Sequence, residues 1–477
     1  MTATFSTFNA KFYSKFTDLK VFDCEEYNLL KVVLDGLKVD YFNRGITNQT
    51  IFKNQYIVTF LLFAKRMKYF YEIKQAQHFC KYVSSGMDVP YLLFDNGRVA
   101  EKQNGIKVSF YFNKIENYLG PENCYTIYQS RTTLKKGIEV GRLFMATLFK
   151  RYTKDDRVFI ANLKNTYRNI ENLQVFNINE LYNIRVGINK FFDEFRFWNF
   201  ILKNKAIKIA LFQGHYHREG FILALRRHKI ASVELQHGLI ANEDIFYIFP
   251  PIVKTVAARA LFPDKIFTYG SHWAELLRKG AEFRDDQIDV LGVYQELNNF
   301  VSNRDRDNLD KFLGNDPMIL ITTQTFLHEE FIEYIIWLSN DLIKKSIKAK
   351  IVVKNHPSEK SVVYQKINSL KNVKLVSMNT EYLLSRCIWH VSCYSTTLYD
   401  ATRHRCKNFS LLISKYADYV ESFVKSGISA LINKNENPVE IDPVVISKNN
   451  TTSLMLYEDF EYHKHKLSSI RINNFLP

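Results

Sequence analysis

Strands alternating with helices along the chain predict an α/β protein built as two Rossmann-like lobes, with parallel sheets facing a shared cleft. Three observations carry this expectation. The chain has 477 residues, too many for one ordinary hydrophobic core, so two units of roughly 200 to 250 residues are expected. Apolar residues make up 46% and aromatics 15%, with only 17 Gly and 10 Pro, a composition that folds throughout rather than forming low-complexity linkers. From about residue 205 onward, short apolar runs alternate with segments of helical spacing, as required of strands buried on both faces by crossover helices.

The first 200 residues mix helix-like aromatic segments with short strand candidates such as VPYLLFDNG, Val89 to Gly97. Asn179 to Lys205 has helical apolar spacing and a basic end, which suits a helix C-terminus. A βαβ unit follows: AIKIALFQG as strand, HREGFILALRRHK as helix and IASVELQHG as the next strand. A second alternating series starts at Asp264 and runs through QIDVLGVY, PMILITTQT, a long helix around Phe331 to Lys345, AKIVVKNHPSEKSVVYQKI, NVKLVS and RCIWHVSCYSTTLYDATRH. The proline in FPDK, Phe262 to Lys265, marks the expected seam. It divides the chain into 1–262 and 263–477, with a last helix able to pack back on the first unit.

Charge and cysteine content bound the partners. The chain holds 65 Lys and Arg against 49 Asp and Glu, a formal charge of +16, which favours nucleic acid, an acidic membrane surface or a phosphorylated substrate. No arginine-rich tail, zinc spacing or RNA-recognition aromatic signature is present, so nucleic acid is not the expected partner. The six cysteines are scattered without a CxxC pair, and the polar start MTATFSTFNAKFYSKF is not a signal peptide. A cytoplasmic protein is expected. The apolar run Tyr56 to Ala64 has nine residues, about half of what a spanning helix needs. The following KRMKYFYEIKQ could rest as a basic amphipathic helix on the inner face of a membrane, or pack on its own domain.

In open α/β sheets ligands bind beyond the carboxyl ends of the strands, and four strand-end loops carry unusual polar content. The first holds Gln213, Gly214, His215, Tyr216, His217, Arg218, Glu219 and Gly220; the second holds Gln236, His237 and Gly238. The third is Lys354-Asn355-His356-Pro357-Ser358, and the fourth Ser395-Thr396-Thr397, with Gln324 at a further strand end. Pro357 bars helical geometry before it, so a helix is expected to begin toward Val362, with free N–H groups beside Lys354 and His356 that suit phosphate. Ser395, Thr396 and Thr397 open another helix, as caps or as phosphate ligands, and Asp400 one turn on could accept from ribose hydroxyls. His237 could equally be a hydrogen-bonded core histidine.

Other chemistries lack their signatures. His215, His217, His237 and Glu219 imitate a zinc set, but no HExxH or similar spacing exists, so neither metal nor cofactor is expected. The DRD at Asp305 to Asp307 sits in a charged stretch and reads as a solvated helix start. There is no P-loop, no GxSxG elbow and no GxGxxG after a strand.

VELQHG, NHPSE and YSTTLYDA, in that order, resemble the GT-B-type glycosyltransferases of bacterial surface polysaccharide synthesis. That group includes capsule Kdo transferases, polysialyltransferases and, more distantly, CDP-glycerol glycerophosphotransferases. The match covers roughly Lys205 to His404 and leaves the first 180 residues without a motif. The resemblance implies a GT-B fold, a C-terminal lobe holding a nucleotide-sugar donor, and an N-terminal lobe holding a glycan or lipid-linked glycan acceptor. It places phosphate contacts on His356, Ser395, Thr396 and Thr397. Where polysialyltransferases carry a paired-acid-glycine motif this chain has Arg218-Glu219-Gly220, and where glycerophosphotransferases carry Trp-His-Gly it has Gln236-His237-Gly238. Glu219 or His237 is then the base, with Glu219 the favoured carboxylate. A polyol-phosphate or phosphoribosyl-type transferase, and a noncatalytic scaffold of a polysaccharide assembly complex, are the rival readings.

Overall fold

The computed structural model describes residues 19–23, 28–35, 37, 88–96, 99–101, 107–128, 138–139, 153–240, 244, 246–248, 261–280, 283–295, 301–325, 327–356, 359, 361–404, 406–413, 417–441 and 460–468. The apolar run 56–64 and the basic segment 65–75 lie outside them, as do Pro357 and Ser358.

The first sheet is built from β1 (Tyr91–Asp95), β4 (Cys124–Tyr128), β5 (Ile138–Glu139), β6 (Ile209–Phe212), β7 (Ala231–Leu235), β8 (Lys265–Thr268) and β9 (Ile288–Val290). A small antiparallel pair, β2 (Val99–Glu101) with β3 (Lys107–Ser109), follows β1. The sheet order is β5-β4-β1-β6-β7-β8-β9 and every pairing is parallel. All residues of β6 and β7 are buried, which explains why these strands read as continuous apolar runs.

Among the described residues, the helices of this lobe include a stretch at 30–35 and α1 (Asn113–Leu119), α2 (Lys154–Asn172), α3 (Ile178–Ile201), α4 (Glu219–Arg227) and α5 (Ser271–Lys279). Capping boxes of Thr153 with Asp156 and Asn177 with Glu180 start α2 and α3. The helix expected over Asn179 to Lys205 stops at Ile201 without a basic last turn. Helix α4 crosses α3 so closely that a methyl group on Gly220 would lie 2.5 Å from both Phe191 O and Phe195 N. Glycine is the one residue that fits there.

The second sheet contains β10 (Met318–Thr322), β11 (Lys350–Lys354), β12 (Val373–Val376), β13 (Trp389–Ser392), β14 (Lys407–Leu411) and β15 (Ala430–Ile432). Its order is β12-β11-β10-β13-β14-β15, again all parallel. Helices α6 (Asn303–Leu313), α7 (His328–Lys344), α8 (Thr380–Arg386), α9 (Thr397–Arg403) and α10 (Ala417–Lys425) accompany it. The DRD stretch opens α6, where the Ser302 hydroxyl accepts from Asp305 N at 3.1 Å. Two Rossmann-like lobes with parallel sheets, the GT-B architecture, are thus present. Both sheets reverse their direction of growth at their first strand, between β1 and β6 and between β10 and β13. These are the topological switch points where such sheets bind ligands.

The seam expected at residues 262 and 263 is corrected. Pro263 lies inside the first lobe, because Asp264 accepts from Ser232 N at 2.8 Å and from the Ser232 hydroxyl at 2.6 Å, stitching the chain to β7 before β8 pairs with it. The first sheet runs through Val290 and the second begins at Met318. Leu398, Tyr399, Phe423 and Ile428 of the second lobe join the core of the first, with the Tyr399 ring edge-on to Trp273 at 4.8 Å. A final helix, α11 (Phe460–Ser468), lies on the first lobe: His463 stacks on Tyr118 at 5.3 Å, and Lys466 bonds Asp289 at 2.9 Å.

Candidate functional site

At the first switch point β6 gives way to Gln213. Its Oε1 accepts from the backbone N of Asn96, just past β1, at 3.3 Å. Gln213 is 3% exposed, and among the described residues its Nε2 has no hydrogen-bond partner. Gly214 then takes φ 67°, a left-handed backbone that glycine adopts without steric cost. A methyl group there would press on His237 Cε1 at 3.2 Å and on the Tyr216 ring at 3.3 Å. His237 therefore rests on the turn that begins at Gln213.

The turn is anchored from beneath by buried charge. Lys31, in the helical stretch 30–35, bonds Asp35 at 2.9 Å, the Glu219 carboxylate, and His215 O at 3.3 Å. Backbone N of His217, itself at φ 60°, donates to Asp35 Oδ2 and to Glu219 Oε1, each at 3.1 Å. Burial pushes the Glu219 carboxyl well above its usual range; Lys31 opposes this and Asp35 adds to it. Arg218 lies 4.1 Å over the Phe94 ring and donates to Gly214 O at 3.0 Å. Glu194 of α3 receives Gly220 N at 3.1 Å, and burial pushes its carboxyl up to about 7.

His215 and His237 differ in their settings. His215 is fully buried, its Nδ1 2.5 Å from Glu234, whose other oxygen accepts from the Tyr247 hydroxyl at 2.5 Å. Burial raises the Glu234 pKa, but the His215 and Tyr247 bonds outweigh it and hold the carboxyl below its usual range. His237 is half-buried, with Nε2 3.1 Å from the Tyr216 hydroxyl. Its buried Nδ1 has no partner among the described residues, and burial lowers its pKa, which favours a neutral imidazole. Among the described residues, chain neighbours apart, no atom lies within 4 Å of the position a Gly238 side chain would take. Gln236 serves the fold: its Oε1 accepts from Tyr269 N at 2.8 Å and its Nε2 donates to Gly238 O at 2.9 Å.

At the second switch point Gln324, past β10, accepts from Tyr394 N, past β13, at 2.8 Å. The β11 loop is fastened to the β10 loop by Glu359, which receives the Thr323 hydroxyl at 2.6 Å, His356 N at 3.0 Å and the Tyr364 hydroxyl at 3.1 Å. His356 is half-buried with Nδ1 3.2 Å from the Thr325 hydroxyl, and Lys354, half-buried, ends β11. The helix expected toward Val362 is a 3-10 helix, Ser361–Ile367. Ser395 accepts from Thr397 N at 3.2 Å, and Thr397 pairs with Thr322 at 3.0 Å. Thr396 precedes α9 without a side-chain capping bond, and Asp400 lies half-buried in its first turn.

Sequence reasoning thus located the strand ends but gave some residues the wrong setting. Glu219, favoured as base, is 4% exposed and held by Lys31; it braces the turn. His215 faces Glu234 rather than His217, and among the described residues no group of three or more His, Cys, Asp or Glu is arranged to hold a metal. Lys31, Asp35, Glu234, Tyr216, Thr322, Thr323, Glu359 and His390 were missed. A signal existed for three: Lys31 and Asp35 interrupt the apolar LLKVVLDGL, and Glu234 interrupts SVEL.

No protein-family model and no curated protein matches the chain. Solved structures resemble it at low identity. A UDP co-structure of S. aureus MnaA is 13% identical with a TM-score of 0.48, covering 82% of this chain and 97% of that one. The calicheamicin glycosyltransferase CalG4 is 11% identical with a TM-score of 0.40, over 81% of this chain and 96% of that one. A UDP-forming trehalose-phosphate synthase from Burkholderia vietnamiensis is 12% identical with a TM-score of 0.41, over 82% and 97%. The likeness is one of fold.

Proposed function

We propose that the chain is a glycosyltransferase that moves a sugar from a nucleotide-activated donor to a hydroxyl of a bacterial surface glycan, without a metal. The observation that carries this reading is His237: an imidazole at a strand end whose lowered pKa favours the neutral form and whose buried Nδ1 is unpartnered among the described residues, beside Gly238. In the proposed reaction His237 Nδ1 takes the acceptor proton, the freed oxygen attacks the anomeric carbon, and the bond from that carbon to the donor phosphate breaks. Gln213 Nε2, a buried donor without a partner, suits the acceptor oxygen. Lys354, His356, Ser395 and Thr396 receive the departing nucleotide diphosphate on the other lobe.

The test is twofold. Calorimetry and thermal shift against CMP, CDP, UDP, GDP and phosphoribosyl diphosphate should find a stabilising nucleotide. With that donor class in hand, His237→Gln should lower kcat on the order of a hundredfold; a change within about threefold removes His237 from the chemistry. Phosphate retained in the new linkage, read by product mass, would instead mark a polyol-phosphate transferase. The +16 surplus suits a lipid-linked acceptor at an anionic membrane, where sedimentation with anionic vesicles should fall as salt rises. Among the described residues no helix is long and apolar enough to cross a membrane.

A further inference from the structure

Beneath the Ser395-Thr396-Thr397 loop lies a chain of hydrogen bonds whose direction can be worked out link by link. Asn408, on β14, places its Nδ2 2.6 Å from Leu398 O and 3.0 Å from Ile428 O. Carbonyl oxygens only accept, so this end of the amide is the NH2 and the other end is the oxygen. Asn408 Oδ1 lies 2.7 Å from His390 Nδ1, which must therefore carry a hydrogen. His390 is fully buried, and burial brings its pKa down to about 4, so at neutral pH its second nitrogen, Nε2, holds a lone pair.

That nitrogen is 2.9 Å from Thr322 Oγ1, and the Thr322 proton is given to the ring. Thr322 Oγ1 is also 3.0 Å from Thr397 Oγ1. With its own proton committed, Thr322 can only accept there, and Thr397 donates. The single side-chain proton of Thr397 thus points inward, and the half-buried hydroxyl offers only lone pairs outward. Ser395 has the opposite polarity: it accepts from Thr397 N at 3.2 Å and keeps its own O–H to give.

We propose that Thr397 is a specificity residue that accepts a hydrogen bond from a hydroxyl or N–H group of the bound nucleotide sugar and does not bind phosphate. Phosphate oxygens at neutral pH accept as well, and two acceptors face to face repel. Ser395 can serve phosphate; Thr397 cannot. Asp400, three residues further on α9 and hence on the same face, is also an acceptor. This assignment rests on the nucleotide-donor reading and divides a motif that the resemblance treats as one phosphate clamp.

The experiment compares wild type, Thr397→Val and Thr397→Ser by calorimetry with UDP, CDP, GDP, their 2′- and 3′-deoxy counterparts, UDP-N-acetylglucosamine and inorganic pyrophosphate. Thr397→Val should weaken the preferred ribonucleotide or nucleotide sugar roughly tenfold, leave pyrophosphate within about twofold, and be rescued by Thr397→Ser. Loss confined to ribonucleotides assigns the ribose, loss shared by the deoxy forms the base, and loss confined to the nucleotide sugar the transferred sugar. Equal weakening of pyrophosphate, or no weakening of any ligand, overturns the assignment alone. A wild-type protein that binds no nucleotide overturns the donor reading and the assignment together. Independently of folding in the variants, ¹⁵N spectra of histidine-labelled wild type should show His390 as the Nδ1–H tautomer; the Nε2–H tautomer overturns the assignment.

Discussion

The two lobes cross their switch points with the same device and surround it with different chemistry. Gln213 ties the β6 loop to Asn96, and Gln324 ties the β10 loop to Tyr394, each through its side-chain oxygen. Around Gln213 the supports are buried charges: Lys31, Asp35, Arg218, Glu219 and Glu234. Around Gln324 they are hydroxyls and a neutral ring: Thr322, Thr323 and His390, with Glu359 as the local carboxylate. The difference teaches that one scaffold can fix a strand-end imidazole on ion pairs and a strand-end loop on oriented hydroxyls. The former are strong and intolerant of deletion; the latter are individually weak and directional.

Deleting one partner from each lobe should expose that contrast. Lys31→Met strands two carboxylates in the interior and should cost about 3–5 kcal/mol of stability, whereas Thr323→Val should cost about 1 kcal/mol, both read by urea unfolding. Equal losses would break the comparison. Next in size is Gly220→Ala, whose methyl must push α3 and α4 apart; about 1–3 kcal/mol is expected, with hydrogen exchange accelerated in β6 and unchanged in β13.

The pH responses should also oppose one another. Glu194 has an ordinary pKa of 4.5 raised to about 7, so between those values the folded state holds the extra proton and its contribution to stability is lost as pH rises. His390 has an ordinary pKa of 6.5 lowered to about 4, so over that window the unfolded state holds the extra proton and stability is lost as pH falls. Each slope is at most about 1.4 kcal/mol per pH unit. Hydrogen exchange read separately in the two sheets should show Glu194→Gln removing the first trend and His390→Asn the second. Slopes of the same sign would contradict the assignment of either group.

Much of the fold was legible because β6, β7, β10 and β11 are short apolar runs interrupted by helical spacing. The lobe boundary was not. Pro263 sits in a connection between two parallel strands of one sheet, and nothing local in such a connection says which sheet comes next. The strand-end placement of His237, His356 and Ser395 was legible because polar residues stand out after apolar runs. Glu219 was misjudged because its partner Lys31 lies 188 residues away, and pattern reading has no reach over that distance. Thr322 drew no notice within PMILITTQT; its setting comes from His390, buried on the adjacent strand.

Helix α9 has seven residues, and it serves two masters. Its first residue stands at the loop proposed to meet the donor, while Tyr399, on the same short cylinder, grips Trp273 of the opposite half. A molecule bound at that loop would press on this rod and its grip together, so the indole of Trp273, almost completely enclosed, would serve as an optical gauge of how the halves settle.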